Sequence, residues 1–294
     1  MKIRDIFAES GFTLSFEVFP PKREGSIEEL YEVIETLKEW DPSFISVTYG
    51  AGGSTRDKTV EIASTIKNEL GAEVLTHLTC VQSTRDDIEG ILDELKGKGI
   101  ENILALRGDP PEGTNRFIRT EEGFGYASEL VEFIGSRGDF SIGVAGYPEG
   151  HIEAPSLAED LINLKIKVDA GADFITTQLF FNNEDFYRFR DDAMDLGIDI
   201  PIIPGIFPIF NYKQVDKMTS MCGARIPPRF HDKLRRVSGR NEDVEKYGIE
   251  HAILQTEDLL DNDVSGLHFY SMNRSSHVIR ILSELSLPKR SLND

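Results

Sequence analysis

Apolar and polar positions along the chain follow two alternating rhythms. Runs of strand length, with period two or uniformly apolar, are followed by segments whose apolar residues return every three to four positions. Residues 1–10 open with a short amphipathic helix that puts Ile3, Ile6 and Phe7 on one side. Phe12 to Phe19 then alternates as a strand. Leu14, Phe16 and Val18 share one face; Thr13, Ser15, Glu17 and Phe19 share the other. Pro20-Pro21 ends it. Ser26 with Glu29 reads as a capping box for a helix burying Leu30, Val33, Ile34 and Leu37.

The pattern repeats. Strands are expected at Phe44–Tyr49, Glu73–Cys80, Asn102–Leu106, Ser141–Tyr147, Phe174–Phe181, Ile200–Ile206 and Gly266–Met272. Helices are expected at about Thr55–Leu70, Ser83–Lys96, around Leu130, Phe133 and Ile134, at Pro155–Asp169, Glu184–Leu196, Tyr212–Thr219 and Ser275–Leu285. Residues 225–263 break the rhythm with extra helices near Pro228–Arg235 and Glu242–Leu260. Eight strand–helix alternations in 294 residues predict an α/β fold, a (β/α)8 TIM barrel with extra helices before the last strand. No linker or low-complexity tract divides residues 1–294, so a single domain is expected.

Composition narrows the partners. The formal net charge of -19 disfavours nucleic acid, whose phosphates it would repel. Cys80 and Cys222 are far apart and carry neither a metal signature nor a disulfide framework, which fits a reducing, cytoplasmic setting. The start, Met1-Lys2-Ile3-Arg4-Asp5, is too charged for a signal peptide, and no run approaches the ~18 apolar residues of a membrane span.

Barrel chemistry sits at the C-terminal strand ends. There the expected strands place Glu17, Thr48, His77, Arg107 with Asp109, Tyr147, Gln178 and Tyr270. Period-two faces group Glu17 with Ser15, Thr48 with Ser46, His77 with Thr79, and Gln178 with Thr176, all inward; Leu14, Phe16, Val18, Ile45 and Val47 face the helices. So many polar residues on one rim are hard to explain by packing. Arg107-Gly108-Asp109 halts a buried strand before Pro110-Pro111, with Arg107 on the face of Ile103 and Ala105. The two charges either pair with each other or serve a ligand. Glu17, between Phe16 and Val18, is expected to have its pKa raised by desolvation, as a general acid requires, unless a Lys or Arg pairs with it. Asp160, Asn163 and Lys167 share one helical face, beside a stripe of Leu157, Leu161, Leu164 and Val168, with His151 just before it. Gly50-Ala51-Gly52-Gly53 is neither a Walker loop nor a dinucleotide fingerprint. Phe180-Phe181 is either a stacking platform or core.

Seven ordered motifs carry a resemblance. They are Ser15-Phe16-Glu17-Val18-Phe19-Pro20-Pro21-Lys22, Val47-Thr48-Tyr49-Gly50-Ala51, Thr76-His77-Leu78-Thr79-Cys80, Leu106-Arg107-Gly108-Asp109-Pro110, Gly146-Tyr147-Pro148-Glu149, Thr177-Gln178-Leu179-Phe180-Phe181 and His268-Phe269-Tyr270. Together the chain resembles the catalytic domain of methylenetetrahydrofolate reductase, without the C-terminal regulatory domain of the animal enzymes. The resemblance implies FAD-dependent reduction of 5,10-methylenetetrahydrofolate to 5-methyltetrahydrofolate by ping-pong hydride transfer from NADH or NADPH. A partner protein supplying electrons is the alternative. A homo-oligomer is the expected assembly, and no metal is implied.

By the same resemblance, Glu17 is the acid and Asp109 tunes flavin and folate. Thr48, His77, Arg107, Gly108, Asp109, Tyr126, Ala127, Ala145, Tyr147 and His151 match flavin-contacting positions. Asp160, Asn163 and Lys167 match those holding the ADP half; Gln178, Gln214, Tyr270 and Arg274 match substrate positions. Ile166 stands where bacterial relatives are expected to carry Arg, which removes one expected phosphate contact, and Gly52-Gly53-Ser54-Thr55 departs from the expected loop.

Overall fold

The computed structural model describes residues 1–21, 26–49, 56–110 and 116–288. The Gly50–Gly53 loop and its departure through Thr55 lie outside the described residues. The strands are β1 (Thr13–Val18), β2 (Phe44–Val47), β3 (Val74–Thr79), β4 (Asn102–Leu106), β5 (Ser141–Gly146), β6 (Phe174–Thr177), β7 (Ile202–Ile203), β8 (Gly205–Ile206) and β9 (Gly266–Tyr270). All pairings are parallel, in the order β7-β6-β5-β4-β3-β2-β1-β9-β8.

The seventh strand expected at Ile200–Ile206 is therefore two short ones. Pro204 separates them, because proline brings no N–H to the ladder. The first half pairs with β6 and the second with β9. The Pro204 carbonyl accepts the His268 N–H at 3.0 Å, which nearly closes the ring. β6 is shorter than expected and ends at Thr177, so Gln178 to Phe181 belong to the following loop.

Helices α1 (Ile3–Ser10), α2 (Ile27–Lys38), α3 (Arg56–Asn68), α4 (Arg85–Gly97), α5 (Ala127–Arg137), α6 (Leu157–Asp169) and α7 (Asn183–Asp195) interleave with the strands. Next come α8 (Tyr212–Cys222), the extra helices α9 (Pro228–Arg236) and α10 (Asn241–Asp261), and α11 (Ser275–Leu282) after β9. Ser26 takes the N-cap position of α2, but φ -113° and ψ 11° turn it away from capping geometry and its side chain makes no cap bond to the helix. Thr84 instead forms a full capping box, with Asp87, at α4.

Alternation divides the barrel residues as the chemistry requires. Leu14, Phe16, Val18, Ile45 and Val47 join one large core with Leu30, Ile34 and Leu37 of α2 and the other surrounding helices. The inner faces fill with a separate cluster, Phe44, Leu75, Leu104, Phe174 and Ile203, completed by Ile3 and Ile6 of α1. Gly143 makes room for Phe174, since a Cβ there would stand 2.5 Å from its ring. α1 thus plugs the N-terminal end of the barrel. It is fastened by Ile3 N donating to Asn102 Oδ1 at 2.8 Å and Arg4 N donating to Ser141 Oγ at 3.1 Å, both partners at strand starts. With the bottom plugged, the opposite end is the open one.

Among the described residues no helix is long and apolar enough to cross a membrane. Nor does any group of three or more His, Cys, Asp or Glu among them form a metal cage.

Candidate active site

A cavity of about 400 Å³ opens at the C-terminal mouth. Its walls contain Glu17, Thr48, His77, Arg107, Gly108, Asp109, Ala145, Tyr147, His151, Gln178 and Tyr270 from the sequence-expected set. Leu104, Leu106 and Val81 give it an apolar side; Leu179, Phe207, Met218 and Met272 close the wall toward α8. That wall is backed by a second small core running to Phe230 and Leu234 of α9, which is how the extra helices support the mouth. A broader hollow of about 610 Å³ lies outside the barrel against α2, bordered by Phe19, Glu29, Val33 and Asn273. It contains none of the rim residues.

Glu17 sits at the floor. Its Oε2 is 3.4 Å from His77 Nε2 and 3.5 Å from His268 Nε2, and its side chain is 18% exposed. Phe16 and Val18 point to the opposite face, so the carboxyl meets two imidazoles and the cavity instead of the apolar pocket its sequence neighbours suggest. No Lys or Arg among the described residues pairs with it. His77 Nε2 lies 2.8 Å from Ser46 Oγ, and His268 Nδ1 lies 2.8 Å from Ser15 Oγ. Burial holds His77 down to about 4, against the opposing pull of Glu17, so this imidazole is neutral near pH 7. Tyr270 donates to the Thr177 carbonyl at 2.6 Å, and burial, then the Glu17 charge, pushes its phenol well above its ordinary value.

On the β4 side, Arg107 and Asp109 do not pair. Arg107 Nη1 reaches Glu153 Oε2 at 2.6 Å, its guanidinium lies 5.0 Å from the Phe117 ring centroid, and Asp109 is exposed. Strand alternation does not extend to Arg107: Ile103 and Ala105 pack against the helices, while the chain turns at Gly108 (φ +86°) and Arg107 borders the cavity.

The α6 residues form a layer behind the rim. Tyr147 and His151 meet edge to face at 4.8 Å. His151 N donates to Asp160 Oδ2 at 3.2 Å. Lys167 Nζ donates to the Ala145 carbonyl at 2.5 Å and has no carboxylate within bridging distance among the described residues. Burial brings Lys167 down to about 8 despite Asp160 nearby, and burial raises both Asp160 and Tyr147. His151 is lowered by burial and by Arg107. Asn163 and Ile166 are exposed on α6; Leu161 and Leu164 are buried, but Leu157 of the expected apolar stripe is 43% exposed.

Besides Asp160, Asn163 and Lys167 of α6, four expected residues lie outside this cavity. Tyr126 and Ala127 stand at the start of α5, with Tyr126 exposed. Gln214 occupies the first turn of α8, and Arg274 precedes α11 with its guanidinium 4.8 Å from the Phe210 ring centroid. Phe180 and Phe181 are core: Phe180 stacks on Phe186 at 5.4 Å.

The residue that sequence reasoning missed is His268. It lies two positions before Tyr270 on the same inward face of β9, and period two would have found it. Thr79 and Thr176 also border the cavity; each Oγ1 is buried without a hydrogen-bond partner.

This fold and site define a parallel (β/α)8 barrel with a ligand cavity at its C-terminal mouth and one carboxylate held at the floor between imidazoles. The sequence model of the family described as methylenetetrahydrofolate reductase matches residues 2–286, and the chain belongs to that family. It is 42% identical over 97% of its length to methylenetetrahydrofolate reductase (NADH) 1 of Arabidopsis thaliana, covering 50% of that protein. It is 40% identical over 89% of its length to 5,10-methylenetetrahydrofolate reductase of Escherichia coli, covering 86% of it. The chain thus spans about half the length of the plant relatives it matches. A Clostridium thermocellum protein, described as uncharacterized and as binding two copies of 5-methyl-5,6,7,8-tetrahydrofolic acid, shares the fold. Its TM-score is 0.68 at 15% identity over 96% of each chain.

Proposed function

We propose that the chain reduces 5,10-methylenetetrahydrofolate to 5-methyltetrahydrofolate with bound FAD as the redox group and NADH or NADPH as donor. The observation that carries this reading is Glu17, a carboxyl at the floor of a ligand-sized cavity with neutral His77 beside it and, among the described residues, no Lys or Arg to hold it as a structural ion pair. The family membership and the relatives' names supply the substrate class.

The donor set suits a flavin dinucleotide. Leu104, Leu106 and Val81 offer an apolar surface for a flat ring. Arg107 and Lys167 bring positive charge to that side of the mouth, and a Lys held by a carbonyl instead of a carboxylate is free to meet a phosphate. Thr48, His77, Arg107, Gly108, Asp109, Ala145, Tyr147 and His151 would hold the ring and its sugar chain; Tyr126, Ala127, Asp160, Asn163 and Lys167 would hold the ADP half. When bound, the flavin supplies a hydride acceptor and donor serving nicotinamide and folate in turn, in a ping-pong order.

The protein's own part is orientation and proton supply. Gln178, Gln214, Tyr270 and Arg274 orient the folate, with the pterin near Gln178. Glu17 delivers a proton to the folate ring nitrogen as the five-membered ring opens to an iminium, whose carbon then accepts hydride. His77, neutral and held by Ser46, stands beside the Glu17 carboxyl. Asp109, exposed at the mouth, would face both ligands and tune their charge.

The absorbance spectrum of the purified protein tests this directly, followed by anaerobic addition of NADH and NADPH separately. Flavin bands that bleach with one donor, and recover on adding methylenetetrahydrofolate, are expected. Bands that bleach with neither donor mean that a partner protein supplies the electrons. A protein without flavin bands, even after FAD is added, would falsify the cofactor assignment.

A further inference from the structure

Two buried hydroxyls at the mouth have no role in the steps above. Thr79 closes β3 and Thr176 lies in β6, with β4 and β5 between them. The residues are 6% and 5% exposed, and neither Oγ1 has a hydrogen-bond partner. Thr13 and Thr76 also lack partners, but neither borders the cavity, whereas Thr79 and Thr176 both do. A buried hydroxyl left unmatched is destabilising, so a barrel interior selected for stability alone would carry Val at both positions.

Their surroundings say what they would meet. Inward positions between them are Leu104, Leu106 and Ala145; Thr79 pairs in register with Leu106, and Thr176 with Ala145. The wall is therefore an apolar strip with one threonine on each flank. That pattern complements a flat heteroaromatic ring with a hydrophobic face and polar edges. Rotation about the Cα–Cβ bond of threonine moves Oγ1 from one staggered position to another, so each hydroxyl can turn to a ligand without moving the strand.

We infer that Thr79 and Thr176 hydrogen-bond the polar edges of the flavin ring seated against this strip. The inference rests on the flavin reading above and extends it to two residues.

The test is Thr79→Val, Thr176→Val and the double variant, which keep the branched shape and remove only the hydroxyl. Thr79→Ser and Thr176→Ser, which restore it, are the controls. FAD release is followed by flavin fluorescence on stepwise dilution of the holoprotein, and thermal unfolding is measured with and without added FAD. Each Val variant should bind FAD about five- to tenfold more weakly, the size of one lost hydrogen bond. Without added FAD it should unfold at the same or a higher temperature, and added FAD should raise that temperature less than in the wild type. The Ser variants should retain wild-type affinity. A double Val variant holding FAD within about twofold of the wild type overturns the inference, since lost hydrogen bonds of the usual size would exceed that. So does one that keeps FAD but loses folate affinity, which would give the hydroxyls to the substrate. A wild type that takes up no FAD sinks the flavin reading itself, a result distinguishable from either.

Discussion

Glu17 Oε2 stands 3.4 Å from Nε2 of His77, an imidazole that burial holds at about 4. The pair is therefore a carboxyl group beside a ring that is neutral near pH 7, and its geometry leaves Glu17 open to a ligand in the cavity.

Replacing Glu17 separates its role from that of the fold. Glu17→Gln keeps the shape and the contact with His77 but cannot give up a proton. Stopped-flow measurement should show flavin reduction by the nicotinamide donor within about threefold of wild type, and folate reduction slower by about 10²–10⁴-fold. Equal loss in both halves would make Glu17 a structural residue.

The same pair predicts a pH dependence of stability. The folded pKa of His77, about 4, lies below the ~6.5 of an unfolded imidazole. Between these values the unfolded chain binds the extra proton, so stability falls as pH drops through this window and is unaffected by His77 above it. The loss attributable to His77 is on the order of 3 kcal/mol. Urea unfolding of wild type and His77→Asn at about pH 7.5 and about pH 5 should show a smaller acid loss in the variant. Parallel losses would show that other groups set the slope.

Lys167 gives an alkaline counterpart. Its folded pKa near 8 is below the ordinary lysine value, so above pH 8 the ammonium is progressively lost. FAD affinity should weaken as pH rises through that range. Lys167→Met should bind FAD about tenfold or more weakly near neutrality, the scale of one charge-assisted bond to phosphate, and show little further change with pH. A wild-type affinity flat to about pH 9.5 would remove Lys167 from the phosphate site.

The bottom of the barrel should affect stability and leave chemistry alone. Ile3 is fully buried in the plug, so Ile3→Ala should cost about 2–5 kcal/mol in denaturant unfolding. Flavin content and turnover below the unfolding transition should match wild type, because the plug and Glu17 lie at opposite ends. A changed KM for folate at a temperature where the variant is fully folded would contradict that separation.

Much of the site was legible because strand alternation is a local property. Once Leu14, Phe16 and Val18 are assigned to the helix side, Ser15 and Glu17 can only face inward, and the same logic places Thr48, His77, Tyr147 and Gln178. It fails after β4. Arg107 follows the last residue of β4, and the turn at Gly108 determines its direction. The capping role expected for Ser26 fails similarly, because cap geometry depends on φ and ψ, which composition does not reveal.

What the sequence determined by itself is the order and type of the elements, the parallel barrel they imply, and which side chains share an inward face, because hydrophobic periodicity encodes each of these within a few residues. Tertiary structure alone decided which distant side chains meet: His77 and His268 converging on Glu17, Arg107 taking Glu153 instead of Asp109, and α1 filling the barrel floor. It also decided that the seventh strand splits at Pro204, joining β6 before the proline and β9 after it. These depend on ring closure, which brings residues far apart in sequence to within hydrogen-bond reach through the register of every strand between them.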